Sequence, residues 1–318
     1  MRLERNDLSQ PSLTNQTPPP SARQWYRHPY NRLSAYRLVA ACARWLPRPA
    51  RLTLARTIAP LFQRMMPDEH AAVHCNLSRI LAHAEAAVIK RTANMLFQNF
   101  AVVFTDLLSL NRQPQTTQQR YLHDVYGVQH LQRVLAAPRG FIAATAHMGN
   151  WELASRLLLS FGRPLYVLMA PEQHVAVQRL LRESNKPDDL HLVTPEHGGS
   201  FIELLMALRR GAIVAIQTDR ATGHRRDIAI PFFNAPACFP SGPFTLAAAA
   251  HTVILPCFCL LRPDNRYHIF IEPAITVSRG HEGKAMPKMI QRLEHYIGMA
   301  PDQWFNFYDF WNIQSTQA

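Results

Sequence analysis

From residue 140 onwards, short apolar runs alternate with helical stretches, and this alternation restricts the chain to few architectures. The run 141–146 is apolar almost throughout, as expected of a strand that is covered on both faces. Strand signals of this kind fall at 141–146, 165–169, 190–194, 212–217, 253–260 and 267–271, and helix signals at 151–160, 175–183, 200–210, 243–250 and 286–297. The pattern predicts an α/β fold with a mostly parallel central sheet flanked by helices.

The chain before this region divides into four further parts. Residues 1–22 are polar and rich in proline, which predicts a disordered N-terminus. Residues 23–66 predict an N-terminal amphipathic helical segment broken near Pro47 and Pro49. Residues 68–110 predict a pair of helices, and 121–135 give a mixed signal. We therefore expect the segments 1–22 and 23–66 to precede one main domain over 67–318.

Positive charge is concentrated near the N-terminus. The chain has a formal net charge of +12, yet residues 8–67 contain nine arginines and no acidic residue. An apolar helical stripe runs through the same segment, formed by Leu54, Ile58, Leu61, Phe62 and Met65. Basic amphipathic helices of this composition are typical of anionic membrane surfaces. The alternative is a helix that packs on the core while its arginines are merely solvated.

The stretch 228–261 has no charged residue and is the longest such run. It contains five prolines, whereas a spanning helix needs roughly 20 apolar residues without such breaks. We interpret it as loop, helix and buried strand, which leaves peripheral or monotopic attachment as the expected relation to a membrane.

The segment Ala144-Thr-Ala-His147-Met-Gly-Asn-Trp-Glu152 carries the candidate chemistry, since it links a buried strand to a helix. Asn150 is a good N-cap, which places Glu152 in the first helical turn. His147 then lies at the carboxyl end of the strand, where α/β proteins bind ligands. We expect the Glu152 carboxylate to hold one imidazole nitrogen of His147, so that the other can take a proton from a hydroxyl.

A structural explanation of the same residues also exists. An isolated His-x4-Glu is more often a satisfied core histidine followed by a carboxylate that the helix dipole favours. His70 and His74 are spaced as a metal-ligand pair, but no third ligand accompanies them, and we expect no metal. A Gly-x-Ser-x-Gly nucleophile motif is absent from the sequence.

His147-Met-Gly-Asn-Trp-Glu152 resembles the His-x4-Asp/Glu box of glycerolipid and lipid A acyltransferases, and in particular the late acyltransferases of lipid A biosynthesis. Further segments resemble that family in the same order, namely 200–220, which ends in Asp219-Arg220, 230–237 with Phe-Phe-Asn-Ala-Pro-Ala, 242–256, and Ala300-Pro-Asp-Gln-Trp304. The similarity covers about residues 70–310. Asn234 departs from the usual Gly, and 169–175 lacks an Arg-Pro-x-x-Asn pattern, which leaves the acceptor open.

The resemblance implies an acyltransferase domain over 67–318 that moves a fatty acyl chain from a thioester to a hydroxyl of a membrane lipid. His147 and Glu152 are then the catalytic residues, with no protein nucleophile and no cofactor. Asn150, Asp219 and Arg220 are expected at the substrate, with Arg220 either stabilising the oxyanion, gripping phosphate or pairing with Asp219 in a purely structural role. The apolar run 232–261 either lines an acyl channel or packs the core.

The resemblance also implies partners and location. The donor is expected to be acyl carrier protein, whose acidity suits a basic enzyme, or else coenzyme A. The acceptor is a lipid A precursor or another glycolipid or aminolipid, at the cytoplasmic face of the bacterial inner membrane. A binding protein without catalysis is an alternative, which the intact His147 and Glu152 disfavour. Charge alone suggests nucleic acid, but no reading motif accompanies it, and we expect no nucleic-acid partner.

Overall fold

The computed structural model describes residues 45–169, 189–195, 199–222 and 227–312. Its helices are α1 (Arg48–Met65), α2 (Pro67–Ile80), α3 (Ala86–Leu108), α4 (Gln115–Gln119), α5 (Val128–Leu135), α6 (Trp151–Leu158), α7 (Ser200–Arg209), α8 (Gly242–Ala250) and α9 (Glu282–Met299). Its strands are β1 (Leu122–Tyr126), β2 (Phe141–Thr145), β3 (Leu165–Leu168), β4 (Leu190–Val193), β5 (Ile213–Gln217), β6 (Asp227–Phe232), β7 (Ala235–Pro240), β8 (Val253–Leu261), β9 (Tyr267–Ile271) and β10 (Ile275–Thr276). The predicted N-terminus 1–22 and helix 175–183 lie outside the described residues.

The main sheet has the strand order β1-β9-β8-β2-β5-β3-β4, with β10 paired to β8. The five strands from β8 to β4 run parallel, as the alternating pattern predicts. Strand β9 is antiparallel to β8, and β1 is parallel to β9, so one side of the sheet is reversed. The predicted mixed α/β fold with a mostly parallel sheet is confirmed.

Two apolar layers cover the sheet because its central strands are apolar on both faces. Ile142 and Ala144 of β2 pack on one face with α7, α8 and α9, and Phe141 and Ala143 pack on the other with α1, α2, α3, α5 and α6. The sheet is thus the middle layer of three, and its carboxyl edge is left for a site.

Residues 227–240 form a β-hairpin that the sequence pattern did not predict. Among the described residues, strands β6 and β7 pair with each other and with no further strand, and the turn between them places Phe233 and Asn234 at φ +46° and +60°. Asn tolerates this left-handed conformation better than most residues, which explains why it can stand where the resembling family has Gly. The run 228–261 therefore consists of a hairpin, α8 and β8. Its large aromatic residues Phe232, Phe239, Phe244 and Phe258 are core residues.

Helix α1 is attached to the main domain by a buried ion pair. Arg48 donates from Nε to Asp106 Oδ1 at 2.9 Å and from Nη2 to Oδ2 at 2.5 Å, and Tyr267 donates to the same Oδ2 at 2.6 Å. The Arg48 guanidinium also lies 4.3 Å from the ring centre of Tyr121. This network fixes the orientation of α1 because it joins its first turn to both α3 and β9.

The orientation of α1 leaves the predicted apolar stripe exposed. Leu52 and Ala59 face the core, whereas the side chains of the stripe are 36–57% exposed. Helix α1 thus packs on the domain through the narrower face that carries Leu52 and Ala59. Its broader apolar stripe faces outwards.

One stretch of the described residues, Ala86–Arg112, is long and apolar enough to span a membrane, with a mean hydropathy of 1.2. More than half of it is buried inside the fold, where α3 packs against α1 and α2. A core helix of a globular domain has the same composition, so this stretch is explained by packing.

Replacing Arg48 with Met should lower the free energy of unfolding by about 3–5 kcal/mol, because Asp106 would remain as a buried charge without its cation. Urea unfolding followed by circular dichroism would measure the change. Arg64→Met, at an exposed position near the end of α1, should change it by less than about 0.5 kcal/mol. Equal midpoints for the two variants would contradict the anchoring role of Arg48.

Candidate active site

Two adjacent parallel strands bring His147 and Asp219 together. Thr145 at the end of β2 is in register with Gln217 at the end of β5. His147 and Asp219 each lie two residues beyond these positions, and the backbone N–H of Thr218 still donates to Thr145 O at 2.9 Å. Because the carboxyl ends of parallel strands meet at one edge, the register alone places the two side chains next to each other.

The Asp219 carboxylate accepts three hydrogen bonds. Its Oδ1 lies 2.8 Å from His147 Nδ1, and its Oδ2 accepts from the His147 backbone N–H at 3.1 Å and from Trp304 Nε1 at 3.0 Å. The Asp219 side chain is fully buried, whereas the His147 side chain is 24% exposed. With Nδ1 held by the carboxylate, Nε2 is the nitrogen that can accept a proton from a substrate.

The environment favours an ionised Asp219 and a neutral His147. Burial opposes ionisation of Asp219, but the interactions with His147, Arg220 and Trp304 outweigh it and hold the pKa of Asp219 well below its usual range. Burial lowers the pKa of His147, and the nearby charge of Arg220 lowers it further, against the opposing effect of Asp219. A neutral imidazole is the protonation state that a general base needs at neutral pH.

The loop that carries His147 is fixed by the C-terminal segment. Phe305 N–H donates to His147 O at 2.8 Å, and Gly149 N–H donates to Gln303 O at 3.0 Å. Gly149 has φ +51°, and a Cβ there would come 1.9 Å from Cys259 O, so only Gly fits. The Pro-Asp-Gln-Trp box thus supports the His147 loop and supplies the Trp304 donor.

The expected contact of Glu152 with His147 is wrong, because Asp219 occupies the position of the orienting carboxylate. Glu152 lies in the first turn of α6 as predicted, but its Oε1 accepts from Arg156 Nε at 2.8 Å, one helical turn further on. Oppositely charged side chains at i and i+4 face each other on a helix, which explains the pairing. The role of Glu152 in catalysis remains a prediction.

Asn150 is the N-cap of α6, as predicted. Its Oδ1 accepts from Leu153 N–H at 3.0 Å and from Asn111 Nδ2 at 2.9 Å, while its Nδ2 donates to Asn111 Oδ1 at 3.0 Å. The residue is 1% exposed. Asn150 therefore joins α6 to the segment after α3, and its expected contact with a substrate stays a prediction.

Asp219 and Arg220 were expected at the substrate, but the structure gives both of them protein partners. Asp219 holds His147, as described above. Arg220 donates from Nε to Asn306 Oδ1 and from Nη2 to Phe305 O, both at 2.9 Å, and its guanidinium lies 5.7 Å from the ring centre of Tyr308. Arg220 therefore hydrogen bonds with the C-terminal segment, and its positive charge lowers the pKa of His147.

Two cavities flank helix α6 beside this site. The larger, of about 220 Å³, is predominantly apolar and lies among α5, α6 and strands of the sheet, with Thr145, Trp151, Ala154, Leu131 and Leu158 in its walls. The smaller, of about 80 Å³, is lined by Glu152, Arg112 and Arg156 together with apolar residues of β3 and β4. The sequence analysis leaves the run 232–261 as either an acyl channel or core packing. Within this run, Cys257 lines the larger cavity.

Among the described residues, one group of three side chains has the spacing of metal ligands, namely His123, Asp124 and His268. It lies at the reversed side of the sheet, on β1 and β9. Arg262 Nη1 lies 2.8 Å from His268 Nε2, so positive charge already occupies its vicinity.

The fold and the site fit a class of α/β enzymes that move acyl groups. The chain belongs to the bacterial lipid A biosynthesis acyltransferase family, whose match spans residues 21–312. It is therefore an acyltransferase that acts on lipids, as the resemblance implied.

Similar proteins of known function carry the same type of activity. The phosphatidylinositol mannoside acyltransferase of Mycobacterium tuberculosis H37Rv is 26% identical over 250 residues, which cover 76% of this chain and 77% of that protein. The enzyme of the same name from Mycolicibacterium smegmatis is 24% identical over 191 residues, covering 59% and 62%. The crystal structure of the 1-acyl-sn-glycerophosphate acyltransferase from Thermotoga maritima aligns at 14% identity and a TM-score of 0.35, covering 64% of this chain and 85% of that one.

Replacing Asp219 with Asn should lower kcat/KM by about 10²–10⁴-fold, because the imidazole loses its orienting anion. In the wild type, activity should fall on acidification with a midpoint below pH 6.5, since the neutral base has a lowered pKa. In Asp219→Asn this midpoint should move to still lower pH, because the carboxylate that raises the pKa of His147 is gone. Profiles of kcat/KM against pH would measure both effects.

The matched comparison is Glu152→Gln. Because Glu152 contacts Arg156 in the structure, its replacement should cost much less than that of Asp219 and should leave the acidic midpoint nearly in place. A larger loss in Glu152→Gln than in Asp219→Asn would favour the original pairing of Glu152 with His147.

Proposed function

We propose that this protein transfers a fatty acyl chain from an acyl thioester to a hydroxyl of a membrane glycolipid, with His147 as general base. The observation that carries the proposal is the partly exposed imidazole whose Nδ1 lies 2.8 Å from a fully buried carboxylate. This arrangement leaves one basic nitrogen at the carboxyl edge of a parallel sheet in a lipid acyltransferase.

The reaction follows from these groups. Nε2 of His147 takes the proton of the acceptor hydroxyl while the hydroxyl oxygen attacks the thioester carbonyl carbon. Asp219 stabilises the imidazolium that forms, and the positive charge of Arg220 favours the oxyanion of the tetrahedral intermediate. Collapse of the intermediate breaks the C–S bond, and the imidazolium returns the proton to the leaving thiolate. The products are an ester and a free thiol.

The apolar cavity suits the acyl chain. It begins at Thr145 and Trp151, two and four residues from His147 in the chain, and follows α6 as far as Ser160 and Phe161. A chain lying along α6 would have its thioester end towards the catalytic edge, while its methylenes are removed from water. Acyl carrier protein is the expected donor, with coenzyme A as the alternative.

The acceptor is expected to be a glycolipid. The names of the relatives contain phosphatidylinositol mannoside, and the name of the family contains lipid A. Both lipids offer hydroxyls on lipid-linked sugars. The acceptor of this chain, whether a lipid A precursor or another glycolipid or aminolipid, would be reached at the cytoplasmic face of the inner membrane.

Helix α1 supports attachment to an anionic bilayer. Its exposed stripe would enter the interface between headgroups and acyl chains, and the acid-free, arginine-rich sequence around it would meet negative lipid. This attachment would place the catalytic edge within reach of a lipid hydroxyl.

Replacing His147 with Ala should reduce acyl transfer by about 10²–10⁴-fold, because no other group would accept the hydroxyl proton. Purified protein would be mixed with acyl thioesters and glycolipid vesicles, and ester formation followed by mass spectrometry. His83→Ala, at an exposed position, should retain activity. Transfer by His147→Ala at the wild-type rate would refute the mechanism, and lipid profiles of cells with and without the gene would identify the acceptor.

The double variant Leu61→Glu, Phe62→Glu should bind phosphatidylglycerol vesicles at least about tenfold more weakly, since two apolar anchors would be lost. Vesicle cosedimentation at fixed salt would measure the change. The control is the double variant Phe201→Glu, Ile202→Glu. These two residues are adjacent and exposed on α7, a helix that packs on the face of the sheet opposite to α1. Equal losses, or equally strong binding to DNA at the same salt, would contradict a membrane role for α1.

A further inference from the structure

Strand β1 contains a β-bulge that changes which of its side chains share a face. Between Leu122 and Asp124 the pairing advances by two residues on β1 but by one on β9, so His123 is an extra residue. Leu122 and Val125 both line the apolar cavity, although their odd spacing would place them on opposite faces of a regular strand. The bulge therefore lets two consecutive side chains, those of His123 and Asp124, meet beside β9.

His123, Asp124 and His268 bring three possible ligand atoms to one point. His268 Nε2 lies 3.2 Å from His123 Nδ1 and 3.3 Å from Asp124 Oδ2, and the last two atoms contact each other. Two ligand atoms on a tetrahedral zinc ion are about 3.3 Å apart, given bonds of about 2.0 Å. Tyr126 donates from its hydroxyl to Asp124 Oδ2 at 3.2 Å, which is the kind of outer hydrogen bond that orients a metal-bound carboxylate.

The composition of this group favours zinc among the common divalent cations. Two imidazole nitrogens and one carboxylate suit zinc, whereas magnesium and calcium prefer oxygen ligands throughout. The side chains of His268, His123 and Asp124 are 12%, 30% and 44% exposed, so an ion can enter from solvent. The same exposure leaves a fourth position for water, as in zinc sites with three protein ligands.

Arg262 contacts the point where these lone pairs converge. Its Nη1 donates to His268 Nε2 at 2.8 Å, so a cation already meets the nitrogen that zinc would use. Arg262 Nε also lies 3.4 Å from Asp264 Oδ1, and the Arg262 side chain is 34% exposed. Rotation of the guanidinium towards Asp264 would keep it paired and would uncover Nε2. Arg262 would therefore compete with zinc, and its removal should tighten zinc binding.

We propose that His123, Asp124 and His268 form a zinc site that clamps strand β1 to β9, with water as the fourth ligand. Zinc would replace the proton between His123 and Asp124, and this proton would pass to solvent. The other face of the same strand pair lines the apolar cavity, so the ion would stabilise one wall of that cavity. The proposal concerns metal binding and stability, and it does not depend on the reaction proposed above.

Zinc titration in competition with a chromophoric chelator would measure the affinity. The full-length protein would carry no histidine tag and would be freed of metal with EDTA before dialysis. We expect the wild type to bind one zinc ion with a Kd below about 1 µM. His268→Gln and Asp124→Asn should each weaken this binding at least about tenfold. Arg262→Gln should tighten it several-fold, because the competing cation is gone.

The chain offers a matched control for non-specific binding by its 15 histidines. The double variant His70→Ala, His74→Ala removes the other histidine pair at ligand spacing and should keep the wild-type affinity. Cobalt in place of zinc should give the visible absorption of a tetrahedral ion, and His268→Gln should lose it. Magnesium in large excess should displace neither metal.

Thermal unfolding would test the clamp without any assay of acyl transfer. At a zinc concentration about 100-fold above Kd, the melting temperature of the wild type should rise by about 5 °C, and that of His268→Gln should stay unchanged. Circular dichroism of the metal-free variants would confirm that they fold. A wild-type Kd above about 1 µM would overturn the proposal. Equal zinc affinities in the wild type, His268→Gln and Arg262→Gln would overturn it as well.

Discussion

The catalytic edge depends on one buried carboxylate. Removing Asp219 from water costs several kcal/mol, and the cost is offset only because three N–H groups point at its two oxygens. Two of these donors belong to His147 itself, so the same interaction fixes both the backbone and the ring of the base. The position of the imidazole is therefore set by the strand register of β2 and β5 rather than by the freedom of a loop.

The third donor comes from a distant part of the chain. Trp304 lies 85 residues beyond Asp219, and its neighbours Gln303 and Phe305 hydrogen bond with the backbone of the His147 loop. Arg220 then holds Phe305 and Asn306 from the other side. The C-terminal segment thus contacts both the His147 loop and Arg220.

The sequence was sufficient for the parts of the fold that rest on local patterns. The strand after residue 140, the N-cap at Asn150 and the stripe on α1 all follow from spacing within a few residues. The hairpin at 227–240 was missed because its prolines and aromatic residues do not alternate as a strand does. The partner of His147 was misassigned for another reason. Glu152 is near in the chain, whereas Asp219 becomes near only through the parallel pairing of β2 and β5. Its position two residues after an apolar strand, in a segment that resembles the family, was the available signal.

Asp219 and Glu152 have different partners because their surroundings differ. Asp219 is fully buried and its hydrogen bonds keep it ionised, so it can polarise the imidazole without exchanging protons with solvent. Glu152 is partly exposed and is held by Arg156, which places its charge away from the ring and beside a second cation at Arg112. Asp219 is therefore the carboxylate placed to orient the His147 ring, while Glu152 pairs within its own helix.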